Sequence, residues 1–417
     1  MYFKNDHNHP IKSPFACPFP WTSLSLNYDG GISFCCLHYP FAHISELSEK
    51  SVDSIWNGKV AQDLRRRWKE GKLKGTPCGS CPGLSEFKRY AYPVNDLENM
   101  PEGIFKDNVQ LNMSELIDGS TVLRSMPVSI YYTPSVLCNI DCIHCCQPRI
   151  GKNNYTYLNI EDLLKFYRIL GKLSVSNAIS GGEPLYFQQT FKLINEFSSE
   201  QKAASELILF TNALLIKDKF HKIAGFRKYD FEISIASSNK ETYEHIHSGA
   251  SFDKLIENLE FLIKCKAEGI DISANRIMVL MKSNFNDLDD IFEFASTYKL
   301  DNIWIRAVDA AYYKYKILLE ENIFMLPYLL NKIPSWQDTL EKTSKVALSG
   351  NDLVAYNHLE YIRSNLPNSI AINRYRSVAN WLRWLYTVAI LKLWSKPVHR
   401  ARIASLKYRL ADYLNRK

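Results

Sequence analysis

Cys138-Asn139-Ile140-Asp141-Cys142-Ile143-His144-Cys145 follows closely on the apolar segment Val128 to Thr133, and this stretch is the most informative feature of the chain. Its spacing can place three thiolates around one iron-sulfur cube. Thiolates are the usual ligands of such clusters, and a closed cluster takes four of them. Three local cysteines therefore predict a cluster whose fourth iron is open to another ligand. A structural zinc site completed by His144 or Cys146 is the alternative, because zinc takes four tetrahedral N or S ligands.

A second motif, Gly181-Gly182-Glu183-Pro184, follows another short apolar run. Together the two motifs resemble the radical S-adenosylmethionine (SAM) enzymes, in which the amino and carboxylate groups of SAM chelate the open iron. The resemblance implies that Gly181, Gly182, Glu183 and Pro184 end the second barrel strand and contact the SAM amino group. Glycines allow close backbone approach, a carboxylate accepts from an ammonium, and proline fixes the exit of the chain.

Strand-like and helical runs alternate between Val128 and Val308, and this alternation predicts a parallel sheet. The predicted strands are Val128 to Thr133, Asn177 to Ser180, Glu206 to Thr211, Asp230 to Ala236, Asp271 to Leu280 and Asn302 to Val308. The predicted helices are Ile160 to Leu170, Phe191 to Ser199, Lys217 to Ala224, Phe252 to Ala267 and Asn286 to Tyr298. Right-handed crossovers of this kind curl into a barrel with functional residues at the carboxyl ends of its strands. We therefore expect an α/β fold with a partial (β/α)6 TIM-type barrel over residues 120–310.

Further residues at strand ends are assigned through the same resemblance. It implies SAM contacts for Asn212 after the third strand and Ser234 on the fourth, and His144 is a candidate to stack on adenine. An ordinary loop histidine is the alternative for His144. Two positions depart from the family: many relatives carry an aspartate in place of Ala236 and an arginine in place of His247.

The N-terminal region carries a second cysteine pattern. Cys17 precedes a tryptophan, Cys35 and Cys36 follow an Asp-Gly turn, and Cys78 and Cys81 form a closing pair. This order resembles the SPASM/twitch module, which family members usually carry after the barrel. The resemblance implies that Cys17, Cys35, Cys78 and Cys81 hold an auxiliary 4Fe-4S cluster within residues 1–100. Cys36 is the alternative to Cys35, and a zinc ribbon is the alternative to the cluster.

Composition agrees with a multidomain intracellular enzyme. The chain has 417 residues, 46% of them hydrophobic, and a net charge of +7, which suffices for two or three domains. The polar start Met1 to Asp6 lacks the apolar core of a signal peptide. Most of the ten cysteines fall in two metal-like groups, which suits a reducing compartment. We therefore expect a cytoplasmic protein.

The C-terminal region, residues 311–417, is predicted to be helical and to end in a basic amphipathic tail. Residues 368–417 carry eleven Lys or Arg against one acid, Asp412, together with Trp381, Trp384 and Trp394. Basic amphipathic helices with tryptophan lie in membrane interfaces, so peripheral contact with an anionic membrane is one hypothesis. A helical cap on the barrel is the alternative. Nucleic acid is not expected, because no recognition motif accompanies the basic residues.

The resemblance implies a reaction. A reductant protein such as flavodoxin or ferredoxin reduces the cluster at Cys138, Cys142 and Cys145, SAM is cleaved, and the 5'-deoxyadenosyl radical abstracts hydrogen from a substrate C–H bond. The predicted outcome is oxidation, epimerisation or crosslinking of a sugar or other small anionic substrate. One alternative is a maturase of a ribosomal peptide or protein side chain. Another, kept open by Ala236 and His247, is a non-catalytic iron-sulfur or zinc scaffold.

Overall fold

The computed structural model describes residues 13–36, 38–81, 84, 90–145, 157–307, 333–349 and 353–365. One nine-stranded sheet organises these residues, in the order β3-β2-β1-β4-β5-β6-β7-β8-β9. The strands are β1 (Ser23–Leu26), β2 (Gly31–Ser33), β3 (Ala42–His43), β4 (Ser129–Ser135), β5 (Ser176–Gly181), β6 (Glu206–Thr211), β7 (Lys228–Ser234), β8 (Ile272–Leu280) and β9 (Asn302–Ala307).

Strands β4 to β9 are parallel neighbours in chain order. Their ends lie within two residues of the six strands that the sequence predicts. The α/β fold of a partial barrel is therefore confirmed. The agreement has a local cause, because each strand is a short apolar run between helical segments of period 3.6.

Twelve helices accompany the sheet in the described residues. They are α1 (Phe19–Thr22), α2 (Lys59–Lys69), α3 (Ile104–Asp118), α4 (Ile160–Phe166), α5 (Gln188–Glu196), α6 (Ser199–Ala204), α7 (Ile216–Lys219), α8 (Lys240–Ile246), α9 (Phe252–Ala267), α10 (Ile291–Thr297), α11 (Ile333–Ser349) and α12 (Leu353–Asn365). Helix α4 continues as a π-turn over Tyr167–Gly171.

The crossover helices pack on one face of the parallel strands. Tyr132 of β4 meets Phe166 of α4 with ring centroids 6.0 Å apart, and Tyr229 and Phe231 of β7 meet Phe220 beyond α7 at 5.2 and 6.5 Å. Since side chains alternate along a strand, the residues between these point to the opposite side. We call that side, which carries Tyr131, Ala178, Ile208, Asp230 and Glu232, the inner face.

The N-terminal cysteine-rich region continues the barrel sheet. Strand β1 pairs in parallel with β4, with Ser25 opposite Tyr131, and in antiparallel fashion with β2. Gly30 forms the β1–β2 turn with a φ of +84°, a backbone conformation that favours glycine. No local sequence pattern predicts the β1–β4 pairing. The domain boundaries at 1–100, 120–310 and 311–417 stay a prediction.

Arg65 of α2 holds the N-terminal region together. Its buried guanidinium donates to the carbonyl oxygens of Pro20 at 2.8 Å, Trp56 at 2.9 Å and Thr121 at 3.0 Å. It also lies 4.6 Å from the Trp56 ring centroid. Burial lowers the pKa of Arg65 to about 9, so the side chain keeps its charge at neutral pH. Three chain segments that are distant in sequence therefore converge on one cation.

Helices α11 and α12 pack beside β9, the last strand of the sheet. His358 of α12 is buried, and its Nδ1 accepts a hydrogen bond from the Ile305 backbone N–H at 3.3 Å. Within the described residues, no helix is long and apolar enough to cross a membrane. The basic tail, residues 368–417, lies outside the described residues, so its membrane contact stays a prediction.

We predict that Arg65→Met lowers the free energy of unfolding by about 3 kcal/mol, because it leaves several buried carbonyl oxygens without a charged donor. Urea denaturation followed by circular dichroism measures this change. The matched control is Arg66→Met on the same helix. Arg66 is half exposed and pairs only at the surface with Asp63 and Glu70, so its loss should hardly move the midpoint. Equal midpoints for the two variants would contradict the role given to Arg65.

Candidate iron-sulfur and SAM-binding site

The three-cysteine loop follows the carboxyl end of β4, where barrel folds place their functional residues. Desolvation raises the pKa of the Cys138 thiol to about 11, and the nearby negative charges of Glu183 and Cys145 add to this effect. Cys138 is therefore a neutral thiol at pH 7 unless a metal displaces its proton. The position and the donor type both suit a metal centre.

Backbone hydrogen bonds attach this loop to the segment that follows α8. The Asp141 N–H donates to the Ser248 carbonyl at 2.7 Å, and the Ile143 N–H donates to the Ile246 carbonyl at 2.9 Å. Cys142 lies between the two donor residues, and His247 lies between the two acceptor residues. The register thus sets the two side chains against each other.

Gly181 and Gly182 pack closely against the chain that leads into the three-cysteine loop. The Gly182 N–H donates to the Ser135 carbonyl at 2.9 Å, and the Glu183 N–H donates to the Leu137 carbonyl at 2.7 Å. A Cβ at Gly182 would lie 1.7 Å from the Leu137 oxygen, and one at Gly181 would lie 2.0 Å from the Ser135 oxygen. Both glycines are therefore needed for close packing on the chain that leads into Cys138.

Glu183 ties β5 to β6. Its buried carboxylate accepts hydrogen bonds from Thr211 Oγ1 at 2.9 and 3.0 Å, from the Asn212 N–H at 2.8 Å and from the Leu185 N–H at 3.0 Å. Burial raises the pKa of Glu183 to about 7, against the opposing effect of these donors. Both oxygens already accept protein donors. The contact of Glu183 with the SAM amino group stays a prediction.

The other residues assigned through the resemblance lie around the same strand ends. The Asn212 side-chain amide donates to Asn139 Oδ1 at 2.8 Å and lies 3.9 Å from the Cys138 sulfur. Ser234 is the half-buried last residue of β7, and Pro184 opens the turn after Glu183. Asn212 thus belongs to the support of the cysteine loop, and the SAM contacts of Asn212, Ser234 and Pro184 stay predictions.

His247 contacts the cysteine loop directly. Its Nδ1 lies 3.1 Å from the Cys142 sulfur, and its Nε2 accepts a hydrogen bond from the Ala236 backbone N–H at 3.2 Å. The ring of Tyr243 lies 4.7 Å away, and that of His144 lies edge-on at 5.5 Å. Burial, with a smaller effect of His144, lowers the pKa of His247 to about 3. The sequence marked His247 only as a departure from the family.

The four N-terminal cysteines assigned to an auxiliary cluster converge. Cys17 is buried, and its thiol pKa is raised well above the usual value by burial and then by Cys35, Cys78 and Cys81. Cys78 lies in the 3-10 turn Pro77–Ser80, and Cys81 follows it directly. Cys36, in contrast, is exposed. The geometry favours Cys35 over Cys36, and the ligand set stays a prediction.

Both cysteine groups border buried polar donors. The indole N–H of Trp68 lies beside the Cys78 thiol and lowers its pKa through a hydrogen bond, against a larger desolvation. The buried hydroxyl of Tyr243 has no hydrogen-bond partner within the described residues, and it lies close enough to Cys142 for their charges to interact. Sulfur atoms of a cluster would supply acceptors for these donors. The residues at both sites therefore fit an iron-sulfur group.

Within the described residues, no group of three or more His, Cys, Asp or Glu side chains is close enough to hold a single metal ion. In a 4Fe-4S cube each thiolate binds a different iron, so the sulfur atoms stand further apart than the ligands of one ion. The zinc alternatives stay open at both sites, and Cys146, one candidate fourth ligand beside the barrel loop, lies outside the described residues.

The two cysteine groups lie at opposite ends of strand β4, one at its amino end and the other at its carboxyl end. Cys17 precedes β1 and Cys35 follows the antiparallel strand β2, so both lie at the amino end of β4. The loop of Cys138 follows the carboxyl end of β4. A strand of this length spans roughly 20 Å, and the inner face runs between the two sites.

Comparison with known families agrees with this geometry. Residues 132–295 match the model of the radical SAM superfamily, and residues 17–82 match the SPASM iron-sulfur cluster-binding domain. The chain thus carries a radical SAM domain preceded by a SPASM domain. A radical SAM domain implies a 4Fe-4S cluster and SAM, and a SPASM domain implies an auxiliary iron-sulfur cluster.

Curated relatives include GTP 3',8-cyclases. The protein from Peptoclostridium acidaminophilum is 25% identical over 233 residues, which cover 54% of this chain and 67% of the relative. That from Staphylococcus carnosus is 26% identical over 182 residues, which cover 41% of this chain and 51% of the relative. Apart from the first of these two, the matched GTP 3',8-cyclases are covered over only about half of their length.

Comparison with solved structures matches the chain to Streptococcus suis SuiB bound to the precursor peptide SuiA. It has 17% identity and a TM-score of 0.39, with coverage of 76% of this chain and 69% of SuiB. Native anSMEcpe with bound AdoMet has 20% identity and a TM-score of 0.34, with coverage of 44% of this chain and 52% of that protein.

We predict that Gly182→Ala reduces the iron bound at the three-cysteine loop, because the new Cβ displaces the Leu137 carbonyl. Iron analysis and the visible absorption of anaerobically reconstituted protein measure the loss. Gly269→Ala is the control for general destabilisation, since a φ of +87° at Gly269 strains an alanine there while no atom lies within 4 Å of the added Cβ. Full iron content in Gly182→Ala would contradict the packing argument.

We also predict that Cys35→Ser lowers the iron content by about half, whereas the neighbouring variant Cys36→Ser retains it. The reason is that Cys35 faces Cys17 while Cys36 is exposed, and that a cluster lacking one of four thiolates is less stable. The same iron and sulfide analysis separates the two variants. The reverse pattern would assign the ligand to Cys36.

Proposed function

We propose that this chain is a catalytically active radical SAM enzyme that acts on a substrate bound at the inner face. When bound, the cluster and SAM supply a 5'-deoxyadenosyl radical that abstracts hydrogen from a substrate C–H bond. The observation that carries the proposal is the convergence of Cys138, Cys142 and Cys145 on one loop at the carboxyl end of β4. The backbone of Gly181 and Gly182 packs closely against the chain that leads into that loop.

The inner face supplies polar groups for a substrate. Asp230 and Glu232 alternate along β7 with the residues that face the helices. The Asn275 side-chain amide donates to Asp230 Oδ1 at 2.7 Å and to Glu232 Oε1 at 2.9 Å, and it accepts from Asn302 at 2.8 Å. All but Asn302 are buried, so this network holds two carboxylates in fixed positions.

The polar groups of the inner face suit the sugar that the sequence predicts better than they suit an anionic substrate. Carboxylate and amide oxygens accept hydrogen bonds from sugar hydroxyls. The cation on the same face of β7, Lys228, forms an ion pair with Glu206 at 3.1 Å. We therefore propose oxidation, epimerisation or crosslinking of a hydroxyl-rich small molecule, with a peptide substrate as the competing assignment.

The N-terminal region contributes to the opposite end of the inner face. A narrow cleft lined by Phe19, Tyr92 and neighbouring residues lies against the amino-terminal halves of β4, β5 and β6. The ring of Phe19 stacks on Tyr90 at 5.1 Å. Burial raises the pKa of Tyr90, and the nearby charges of Cys17 and Cys35 raise it further. This arrangement supports an auxiliary cluster that takes up an electron from a substrate lying on the inner face.

We predict that anaerobically reconstituted chain with dithionite and SAM forms 5'-deoxyadenosine, measured by mass spectrometry. The variant with Cys138, Cys142 and Cys145 all changed to alanine should fall to background, because it lacks the thiolates that hold the cluster. Cys265→Ala is the matched control, since Cys265 is buried on α9 away from both cysteine groups. No product from the wild-type chain would favour the non-catalytic scaffold.

The substrate class follows from the same assay with deuterated candidates. Deuterium in the 5'-deoxyadenosine identifies the molecule that gave up hydrogen. Transfer from a deuterated sugar derivative and none from deuterated peptides would support the proposed substrate. Transfer from a peptide alone would assign the maturase activity.

A further inference from the structure

We propose that His247 donates a hydrogen bond from Nδ1 to the Cys142 thiolate and thereby raises the reduction potential of the cluster at Cys138, Cys142 and Cys145. The inference rests on the proposed function, since it needs that cluster. It concerns a positioning residue that lies outside the three-cysteine loop.

The backbone sets His247 against Cys142. Hydrogen bonds from Asp141 to Ser248 and from Ile143 to Ile246 lie on either side of this pair. Within the 246–250 turn, the Ala250 N–H also donates to the His247 carbonyl at 2.8 Å. The contact of 3.1 Å between His247 Nδ1 and the Cys142 sulfur is therefore fixed by main-chain geometry on both sides.

The surroundings of the imidazole determine its tautomer. A backbone N–H can only donate, so the bond from the Ala236 N–H at 3.2 Å requires an unprotonated Nε2. A neutral ring then carries its proton on Nδ1, the atom that faces sulfur. The ring is 1% exposed and lies between Tyr243 and His144, so it has little room to turn over.

A donor at this position acts on the charge of the cluster. Reduction adds one electron, and part of the added negative charge lies on the cysteine sulfurs. An N–H directed at sulfur stabilises the reduced form more than the oxidised form, and hydrogen bonds of this kind are among the factors that set cluster potentials. The bond from the Ala236 N–H to Nε2 thus holds the Nδ1 proton towards the sulfur.

Two amide substitutions separate the two contacts of the ring. His247→Asn places an amide N–H near the position of Nδ1 and keeps a donor for Cys142. His247→Gln reaches the position of Nε2, where its oxygen can accept from Ala236, and leaves the sulfur without a donor. His247→Leu removes both contacts, and His245→Leu is the control, because His245 is exposed two residues earlier on α8.

The test is a redox titration of each reconstituted protein without SAM, followed by electron paramagnetic resonance of the reduced cluster. We expect the Gln and Leu variants to be harder to reduce by about tenfold in the equilibrium constant, which is about 59 mV for a one-electron couple. The Asn variant and His245→Leu should titrate like the wild type. Iron and sulfide analysis ensures that clusters of equal content are compared.

Equal potentials in all variants would overturn the inference while leaving the proposed function intact. A shift of the same size in the Asn and Gln variants would also overturn it, because it would assign the effect to packing. A wild-type chain without a reducible cluster would overturn both proposals. If the variants fail to assemble a cluster, pulsed resonance of wild-type protein containing ¹⁵N-histidine decides: a nitrogen coupled to the reduced cluster supports the hydrogen bond, and its absence refutes it.

Discussion

The close approach of two stretches of backbone is the constraint on which the candidate site depends. The Gly182 and Glu183 N–H groups donate to carbonyls of the chain that leads into Cys138, and any side chain at Gly182 would occupy the position of the Leu137 oxygen. The three-cysteine loop is therefore positioned by main chain, with Asn212 and the segment around His247 fixing its sides. A metal site needs such rigid support if its ligands are to keep their geometry while charge changes on the metal.

The parallel pairing of β1 with β4 links this loop to the N-terminal cysteines. Because β1 continues the barrel sheet, the SPASM region is held by main-chain hydrogen bonds along a strand edge as well as by side-chain packing. The same pairing places the two cysteine groups at opposite ends of β4. A substrate on the inner face would lie between a site that generates a radical and a site that takes up an electron, which is the arrangement that a net oxidation requires.

Local sequence patterns predicted much of this architecture. The six barrel strands and the two family motifs are short, contiguous signals, and the strands appear within two residues of their expected ends. The β1–β4 pairing could not be read in this way, because it joins segments about a hundred residues apart. The contacts of Glu183 and His247 could not be predicted from the sequence either, because their partners, Thr211 and Cys142, lie on other elements of the fold.

Thiol chemistry explains why the two sites and the fold are interdependent. Burial raises the pKa of Cys17, Cys78 and Cys138, so without metal these groups are neutral thiols whose proton has to leave when a cluster binds. The buried hydroxyl of Tyr243 lacks a protein acceptor in the described chain, and an unpaired buried donor costs about 1 to 3 kcal/mol. Cluster assembly supplies both the charge partner for the thiolates and an acceptor for this donor. Part of the free energy of cluster binding is therefore free energy of folding, and the chain reaches its full stability only with both clusters in place.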